Sequence, residues 1–370
     1  MPTDARSREL WAQALVEAEQ AVGVSDPNPR VGCLITDAEG RVLGRGSTQA
    51  AGGPHAEVMA LRAVAETGAT ARGATAWVTL EPCSHHGRTP PCCEALTKAG
   101  IARVVAALRD PNPLVGGQGL AKLAAAGLEV HLLDADDPVA IAARELNIGF
   151  VSRMERGRPW VRMKIAASLD GRTALDDGAS QWITGEAARA DGHAWRRRAS
   201  AVLTGIGTVH DDDPRLDVRL VPTQRQPLRV VVDSRLEIAP AARILQPPGE
   251  VLLVHAGEAD ASFAGAQTLA LPGRAGKVDL VALLDELAQR GVNELHVEAG
   301  HKLNGSFVRE GLVDEYLIYL APKLIGAGRE MARFGPLARL ADAVALDFHA
   351  VDRIAADLRV LARPRSASSR

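Results

Sequence analysis

The chain has 370 residues, 46% of them hydrophobic, and this length favours two folded domains over one. Its formal net charge of -2 argues against a protein whose whole surface binds nucleic acid, because phosphate affinity needs many clustered cations. The sequence shows neither an apolar leader segment nor an apolar stretch long enough for a membrane span. We therefore expect a cytoplasmic protein with neither nucleic-acid nor membrane partners.

The first part of the chain alternates helical and strand patterns. The predicted helices are 8–22, 55–66 and 92–99, and the predicted strands are 31–35, 42–46, 74–80 and 102–108. Such alternation is typical of a mostly parallel sheet flanked by helices. Residues 150–158 carry charge, Gly and Pro without periodicity, which predicts a linker that follows a first domain at residues 1–149.

A second α/β domain is predicted for residues 159–370. Its predicted strands are 161–167, 201–204, 228–233, 251–255, 294–297 and 316–319, and its predicted helices are 187–198 and 280–290. No complete GxGxxG fingerprint follows a strand, because GIGTVH at Gly205 has only the first part of it. A nucleotide-binding Rossmann domain is therefore not expected.

Two motifs of the first domain carry metal chemistry: HAE at residues 55–57 and EPCSHHGRTPPC at residues 81–92. One imidazole and two thiolates, those of His55, Cys83 and Cys92, leave the fourth position of a tetrahedral zinc open, as in catalytic sites. The carboxylate of Glu57 remains for proton transfer. The pattern predicts a metal-activated water that attacks an amino-bearing heterocycle.

This hypothesis makes demands on local geometry. His55 and Glu57 are two positions apart, so both can face the metal only if His55 lies at an irregular first helical turn. Thr89 is the predicted N-cap of the next helix, which places Cys92 in its first turn, where backbone amides stabilise a thiolate.

Other potential ligands lie close to these residues in the sequence. His85 and His86 could bind metal, but with two thiolates and His55 available they are expected to face substrate or solvent. Cys93 is interpreted as a bystander, and Cys33 as a buried core residue.

The HAE and PC...C motifs resemble the cytidine-deaminase superfamily, whose commoner members carry PCxxC. Eight residues separate Cys83 from Cys92, and this longer spacing, together with PNPRVG at residues 27–32, resembles the deaminase half of the bifunctional riboflavin-biosynthesis family. Four further motifs resemble the reductase half of the same family: KIAASLDGRTA from Lys164, SQWIT from Ser180, DDPRL from Asp212 and VEAGHKLNGS from Val297. The resemblance extends over nearly the whole chain.

The resemblance implies an α/β protein with a cytidine-deaminase-like three-layer α/β/α domain and a dihydrofolate-reductase-like α/β domain. It implies hydrolytic deamination of 2,5-diamino-6-(5-phosphoribosylamino)pyrimidin-4(3H)-one with one zinc ion per chain. The second implied reaction is NADPH-dependent reduction of the ribosyl C1' to 5-amino-6-(5-phosphoribitylamino)uracil. The partner is this phosphoribosylaminopyrimidine, and a homo-oligomer is expected from the family alone.

The family motifs also imply site residues. Contacts to the cofactor are implied for Ala166, Trp182, Thr208, Asp212, Ser234, Gly300, His301, Lys302, Leu303, Asn304, Gly305 and Ser306. Contacts to the substrate are implied for Asn28, Ser180, Arg196, Leu216, Arg219 and Glu298.

For some of these residues there is also a chemical argument for the role, or an alternative interpretation in which the residue has no role in binding. Residues 297–306 read as a strand followed by a Gly-containing helix start, which binds anions through free amides. Arg196 and Arg219 suit the terminal phosphate of the substrate. The alternatives are a turn for Asn28, a solvated basic helix face for Arg196 and an ordinary turn for residues 297–306. Ser234 and Arg235 are predicted to bind the extra phosphate that distinguishes NADPH from NADH.

Two rival functions remain open from the sequence. The first is a nucleic-acid or nucleoside base deaminase with an appended binding domain, which would need a basic groove and usually the PCxxC spacing. The second is a non-catalytic zinc module, which would need a fourth protein ligand such as His85.

Overall fold

The computed structural model describes residues 5–85, 90–257 and 262–365, and the chain divides into two compact units, residues 1–157 and 158–370. The prediction that residues 150–158 form an irregular linker is wrong, because most of them are helical. A helix covers Ile148–Arg156 and ends at Gly157, which has a left-handed backbone with φ of 69°. Charge and glycine in this segment therefore mark the end of a helix.

The first unit contains six helices and five strands among its described residues. They are α1 (Ala5–Glu19), β1 (Gly32–Thr36), β2 (Val42–Ser47), α2 (Ala56–Glu66), β3 (Thr75–Val78), α3 (Cys92–Lys98), β4 (Arg103–Ala106), α4 (Gln118–Ala125), β5 (Glu129–Leu132), α5 (Pro138–Leu146) and α6 (Ile148–Arg156).

The five strands form one sheet in the order β2-β1-β3-β4-β5. Strand β1 is antiparallel to both β2 and β3, whereas β3, β4 and β5 are mutually parallel. The prediction of a mostly parallel sheet is therefore wrong for this unit, since two of its four strand pairs are antiparallel. The chain reverses directly between β1 and β2, and such a short return allows only an antiparallel pair.

Helices cover both faces of this sheet. Strand β1 shows why, because its side chains alternate between the two faces and all of them are buried. Cys33 and Ile35 pack with residues of α2, α3 and α4, while Leu34 packs with residues of α1 and α5. The layers are thus helix, sheet and helix.

Two glycines of β2 let α2 approach the sheet closely. A Cβ atom at Gly46 would lie 2.5 Å from the backbone nitrogen of Ala60 and 2.6 Å from the backbone oxygen of Ala56. A Cβ atom at Gly44 would meet the Ala60 oxygen at 2.4 Å. The missing side chains therefore fix the position of α2 and of His55, which precedes it.

The second unit contains the remaining helices and strands of the described residues. They are β6 (Trp160–Ser168), β7 (Arg172–Ala174), α7 (Glu186–Arg198), β8 (Ala201–Gly205), α8 (Ile206–Asp212), β9 (Leu228–Val232), β10 (Val251–His255), β11 (Gln267–Ala270), α9 (Leu280–Gln289), β12 (Glu294–Val297), α10 (His301–Arg309), β13 (Glu315–Ala321), β14 (Arg329–Glu330), β15 (Leu346–Ile354) and β16 (Asp357–Pro364).

Nine of these strands form a sheet in the order β11-β10-β9-β8-β12-β6-β13-β16-β15. The pairs from β11 to β13 are parallel, and β16 and β15 extend the sheet as an antiparallel pair. The carboxyl ends of the central strands β6, β8 and β12 therefore lie at one edge, where α/β sheets commonly bind ligands. No helix in the described part of the chain is both long and apolar enough for a membrane span.

Candidate active sites

His55, Cys83 and Cys92 converge in the first unit. Their ligand atoms lie within 4.8 Å of one another, with His55 Nδ1 at 3.5 Å from Cys83 Sγ and at 3.4 Å from Cys92 Sγ. A sulfur and a nitrogen that bind the same tetrahedral zinc, at about 2.3 and 2.0 Å from the metal, are about 3.5 Å apart. The donor set and its spacing therefore fit zinc.

Glu57 lies beside this cluster because the helix begins irregularly. His55 is the N-cap of α2 and has an extended backbone, with φ of -79° and ψ of 169°. Glu57 falls in the first turn, is buried, and its carboxylate forms a hydrogen bond with the Cys92 thiol. This is the geometry that the zinc hypothesis requires of His55.

The electrostatics of the cluster depend on burial. Burial raises the pKa of Glu57 to about 7, and the charge of Cys83 adds to this rise. The hydrogen bond with Cys92 lowers the pKa of Cys83 to about 4, and the same bond raises the pKa of Cys92. Cys83 is therefore the readier thiolate, and a bound cation would favour the thiolate form of both residues.

The start of α3 corrects one prediction. Pro91, with an extended backbone, is the N-cap, and Cys92 is the first helical residue. Thr89, the predicted N-cap, lies outside the described residues and two positions before Pro91. The cause is proline itself, since the residue before a proline is forced out of the helical region and here Pro90 precedes Pro91.

The other candidates of this unit lie in varied surroundings. His85 is exposed, and His86 lies outside the described residues. Cys93 is buried and its thiol donates to the backbone oxygens of Pro82 and Gly119. Asn28 is half-buried, and its side chain forms no hydrogen bond within the described part of the chain.

The second unit has a cavity of about 410 Å³ at the carboxyl edge of its sheet. Many of the predicted contacts line it. They are Ala166, Ser180, Trp182, Arg196, Thr208, Asp212, Leu216, Arg219, Glu298, Gly300, His301 and Asn304. The sequence therefore brings residues from five segments together around one cavity.

A buried carboxylate lies in the wall of this cavity. Glu298 follows β12 and receives two hydrogen bonds from the Arg196 guanidinium, through Nε and, at 2.9 Å, through Nη2. Lys164 Nζ lies 3.6 Å from the same carboxylate. Although burial opposes it, these cations hold the pKa of Glu298 well below its usual range. Arg196 is thus paired with a carboxylate, and the alternative interpretation of Arg196 as part of a solvated basic helix face is wrong.

Asp217 organises two more arginines at the cavity. Its carboxylate accepts hydrogen bonds from Arg215 at 2.9 Å and from Arg219 at 2.7 Å, and both arginine side chains remain more than two-fifths exposed. His193 accepts a hydrogen bond from the Arg219 backbone. Together with the charges of Arg196 and Arg219, burial lowers the pKa of His193 to about 4. The imidazole therefore stays neutral beside these cations.

The backbone around Leu216 is strained. Leu216 has φ of 51° and its side chain is buried in a hydrophobic cluster. A left-handed conformation at a residue with a side chain costs roughly 1 kcal/mol or more and persists only where the surroundings enforce it. The buried side chain of Leu216 thus anchors the segment that carries Arg215 and Arg219.

Comparisons with known proteins identify the family. The family model of the cytidine and deoxycytidylate deaminase zinc-binding region matches residues 5–108, and that of the RibD C-terminal domain matches residues 159–359. The riboflavin biosynthesis protein RibD of Escherichia coli K12 is 45% identical over 362 residues, covering 94% of this chain and 96% of its own. The chain belongs to the RibD family.

Solved structures agree with this assignment. RibD of Acinetobacter baumannii, form 1, matches with a TM-score of 0.87 at 38% identity and covers 98% of this chain and 99% of its own. A diaminohydroxyphosphoribosylaminopyrimidine deaminase/5-amino-6-(5-phosphoribosylamino)uracil reductase from Thermotoga maritima matches with a TM-score of 0.88 at 31% identity. The match covers 97% of this chain and 99% of that protein. The predicted fold class and the resemblance on which it rests are thereby confirmed.

Several contacts implied by the RibD resemblance do not line the cavity: Ser234, Lys302, Leu303, Gly305 and Ser306. For the four residues of α10 the helical period is the reason, because only one side of a helix can face a cavity. Leu303 packs against the hydrophobic core, and a Cβ at Gly305 would lie 1.9 Å from the backbone oxygen of Arg333. Gly305 therefore permits close packing of α10, and its cofactor contact stays a prediction.

The cavity of this RibD family member also has residues that the sequence analysis missed. Arg189, Arg215, Arg243 and Arg329 line it, and Arg329 is paired with Asp211 at 2.6 Å. Arg189 lies over the ring of Trp182, with 4.6 Å from the guanidinium carbon to the ring centroid. Arg215 stands in the DDPRL motif, so its place in that motif was the available signal.

Proposed function

We propose that this RibD family protein performs two reactions of riboflavin biosynthesis, one in each unit. The first unit would deaminate 2,5-diamino-6-(5-phosphoribosylamino)pyrimidin-4(3H)-one with zinc. The second would use NADPH to reduce the ribosyl C1', giving 5-amino-6-(5-phosphoribitylamino)uracil. The observation that carries this proposal is the convergence of three zinc-type donors with a buried carboxylate, in a chain whose similarity to RibD relatives runs nearly end to end.

In the deaminase site, His55, Cys83 and Cys92 would hold the zinc ion. A zinc ion bound there supplies a Lewis acid that makes hydroxide available near neutral pH. Glu57, with its pKa raised to about 7, can accept a proton from the attacking water and pass it to the ring nitrogen. It can then carry a second proton, from the hydroxyl group added to the ring carbon, to the amine that leaves as ammonia. The side-chain amide of Asn28 is our candidate for binding the pyrimidine edge.

In the reductase site, the cations at Asp217 would bind the substrate phosphate. Arg215 and Arg219 keep partly exposed side chains while Asp217 fixes their positions, which suits bidentate recognition of a phosphate. Arg196 would instead orient Glu298 towards the substrate. This division of roles follows from the hydrogen bonds that Arg196 already makes.

Reduction adds a hydride to C1' and a proton to the oxygen released from it. Lys164 and Asp212 both line the cavity and are our candidates for supplying that proton. Asp212 accepts a hydrogen bond from Ser180 at 2.9 Å, which fixes the carboxylate at the cavity wall. NADPH would supply the hydride, and the free amides of α10 at Gly300 and His301 offer an anion-binding helix start that would hold its diphosphate.

The functional domains are proposed to divide at residues 157 and 158, in agreement with the two compact units. A cytoplasmic location, a homo-oligomeric assembly and a lack of nucleic-acid partners remain proposals based on composition and on the family. The nucleic-acid deaminase alternative has little support, because a RibD C-terminal domain fills the second half of the chain.

The proposal is tested by measuring the two reactions separately in one chain. Glu57→Gln should abolish ammonia release from the diamino substrate and leave NADPH oxidation by the deaminated pyrimidine unchanged. A wild-type chain that releases no ammonia would refute the deaminase assignment. Equal turnover with NADH and NADPH would refute the cofactor preference.

A further inference from the structure

Glu81 is a buried carboxylate two residues before the zinc-type ligand Cys83. Its two oxygens accept four backbone N–H groups: those of Asp110 at 3.0 Å, Gly117 at 2.8 Å, Gly119 at 2.8 Å and Leu120 at 3.2 Å. All four donors belong to residues 110–120, which comprise the loop before α4 and the first turn of that helix. The Glu81 side chain thus connects the segment after β3, which carries Cys83, to a segment about thirty residues further along the chain.

A cation adds to this connection. Lys122 Nζ, on α4, donates a hydrogen bond to the backbone oxygen of Ser84 at 2.5 Å. Lys122 and Glu81 thus tie residues 110–122 to both sides of Cys83.

Close packing adds a second constraint. A Cβ at Gly119 would lie 2.0 Å from the Pro82 backbone oxygen, so the two backbones are in direct contact. The position of Cys83 is therefore fixed by its neighbours on both sides.

The carboxylate is chemically suited to this task. The amides at the start of a helix have no partners within the helix, and a negative charge there is favoured by the helix dipole. A buried carboxylate that accepts four N–H groups uses its full acceptor capacity. A glutamine of the same shape would replace one oxygen by NH₂ and oppose a donor to the amides of the 110–120 segment.

We propose that Glu81 is a positioning residue for the metal, and that residues 110–122 form an outer support of the zinc site. This segment lies beyond residues 5–108, which the family model of the zinc-binding region matches. The inference rests on the proposed zinc-dependent function. Partners that orient metal ligands typically change metal affinity by about 10- to 100-fold when they are lost.

The test measures zinc affinity of the full-length chain by competition with a chromophoric chelator. We expect Glu81→Gln to bind zinc about 10- to 100-fold more weakly than the wild type. Glu66→Gln is the matched control, because Glu66 is exposed on α2, and its affinity should stay at the wild-type value. Cobalt substitution adds a spectroscopic readout, since a displaced Cys83 changes the thiolate-to-metal absorption.

A second variant covers the case in which Glu81→Gln does not fold. Lys122→Met removes an exposed side chain that is unnecessary for the core. It should weaken zinc binding several-fold while circular dichroism stays that of the wild type. Wild-type zinc affinity in the folded variants, within a factor of two, would overturn the proposal. Absence of zinc binding by the wild type, or wild-type zinc affinity in His55→Ala, which lacks a proposed ligand, would instead overturn the proposed function.

Discussion

The pairing of Arg196 with Glu298 gives the sharpest prediction for the second unit. Arg196→Met removes two hydrogen bonds to a carboxylate that is only 10% exposed. Loss of one partner from a buried ion pair costs about 3–5 kcal/mol, because the remaining charge is left without compensation. Lys164 still lies 3.6 Å from Glu298, so we expect a loss near the lower end, about 3 kcal/mol.

The unfolding free energy lost in Arg196→Met should depend on pH in a defined direction. In the wild type, the cations hold the pKa of Glu298 below its usual range, although burial opposes this. The pair therefore contributes stability that is complete above about pH 4.3, the pKa of an unfolded glutamate, and is lost as the pH falls through the folded value. In the variant the pKa of Glu298 rises, so the carboxylate becomes protonated more readily. The difference in unfolding free energy should thus be largest near pH 7 and shrink towards pH 4.

The assay is hydrogen exchange of the backbone amides of β6 and β12, which reports on the second unit alone. Arg197→Met is the matched control, since Arg197 on the same helix makes, among the described residues, only a 3.5 Å hydrogen bond to the backbone oxygen of Pro222. Adding Glu298→Gln to Arg196→Met should restore part of the stability, because the neutral amide leaves no unpaired charge. A loss below about 1 kcal/mol at pH 7, or one that does not change between pH 4 and pH 7, would refute the reasoning.

Three further predictions concern both units. Burial and the charges of Arg196 and Arg219 lower the pKa of His193 to about 4, so the wild type loses stability as the pH falls from about 6.5 to 4. In denaturant titrations, His193→Gln should remove about 1–3 kcal/mol of this pH-dependent loss. An unchanged pH dependence of the unfolding free energy would contradict this prediction. Asn147 holds the backbone of Arg30, two residues after the proposed substrate contact Asn28, through hydrogen bonds of 2.7 and 2.9 Å. Asn147→Ala should therefore raise the KM for ammonia release and leave NADPH oxidation unchanged, and an unaltered KM would count against this prediction. Zinc removal by a chelator should abolish ammonia release alone, and re-addition of zinc should restore it.

Strands with a continuous apolar pattern were predictable from the sequence. Strand β10, VLLVH, has the predicted bounds, because buried parallel strands consist of short apolar runs. Strand β12 also has the predicted bounds, although Glu294 and His296 interrupt its apolar residues. Strand β15 was missed. Its residues are mostly exposed and mix charge with apolar side chains, as expected at the edge of a sheet. Hydrophobic pattern therefore finds the centre of a sheet more readily than its edge.

The missed helices had local signals that hydrophobic periodicity does not use. Asp137 caps α5 by accepting a hydrogen bond from the backbone N–H of Val139, and Pro138 occupies the first turn. Helix α6 ends at Gly157, with Arg153 and Arg156 in its last turn. Basic residues and a left-handed glycine are favourable at a helix end, but in a short segment they look like a charged loop.

The two candidate sites differ in how far their chemistry could be predicted. The zinc-type donors lie at the ends of elements, and the identity of each residue restricts what it can do, so motif and spacing were sufficient to select them. Arginine is different, because its guanidinium serves phosphate, carboxylate or solvent equally well. The sequence offered Arg196 and Arg219 as equivalent phosphate contacts, whereas Glu298 engages the first and Asp217 engages the second. The role of each arginine is thus decided by which carboxylate the fold brings to it, and that partner lies 102 residues away for Arg196 and only two residues away for Arg219.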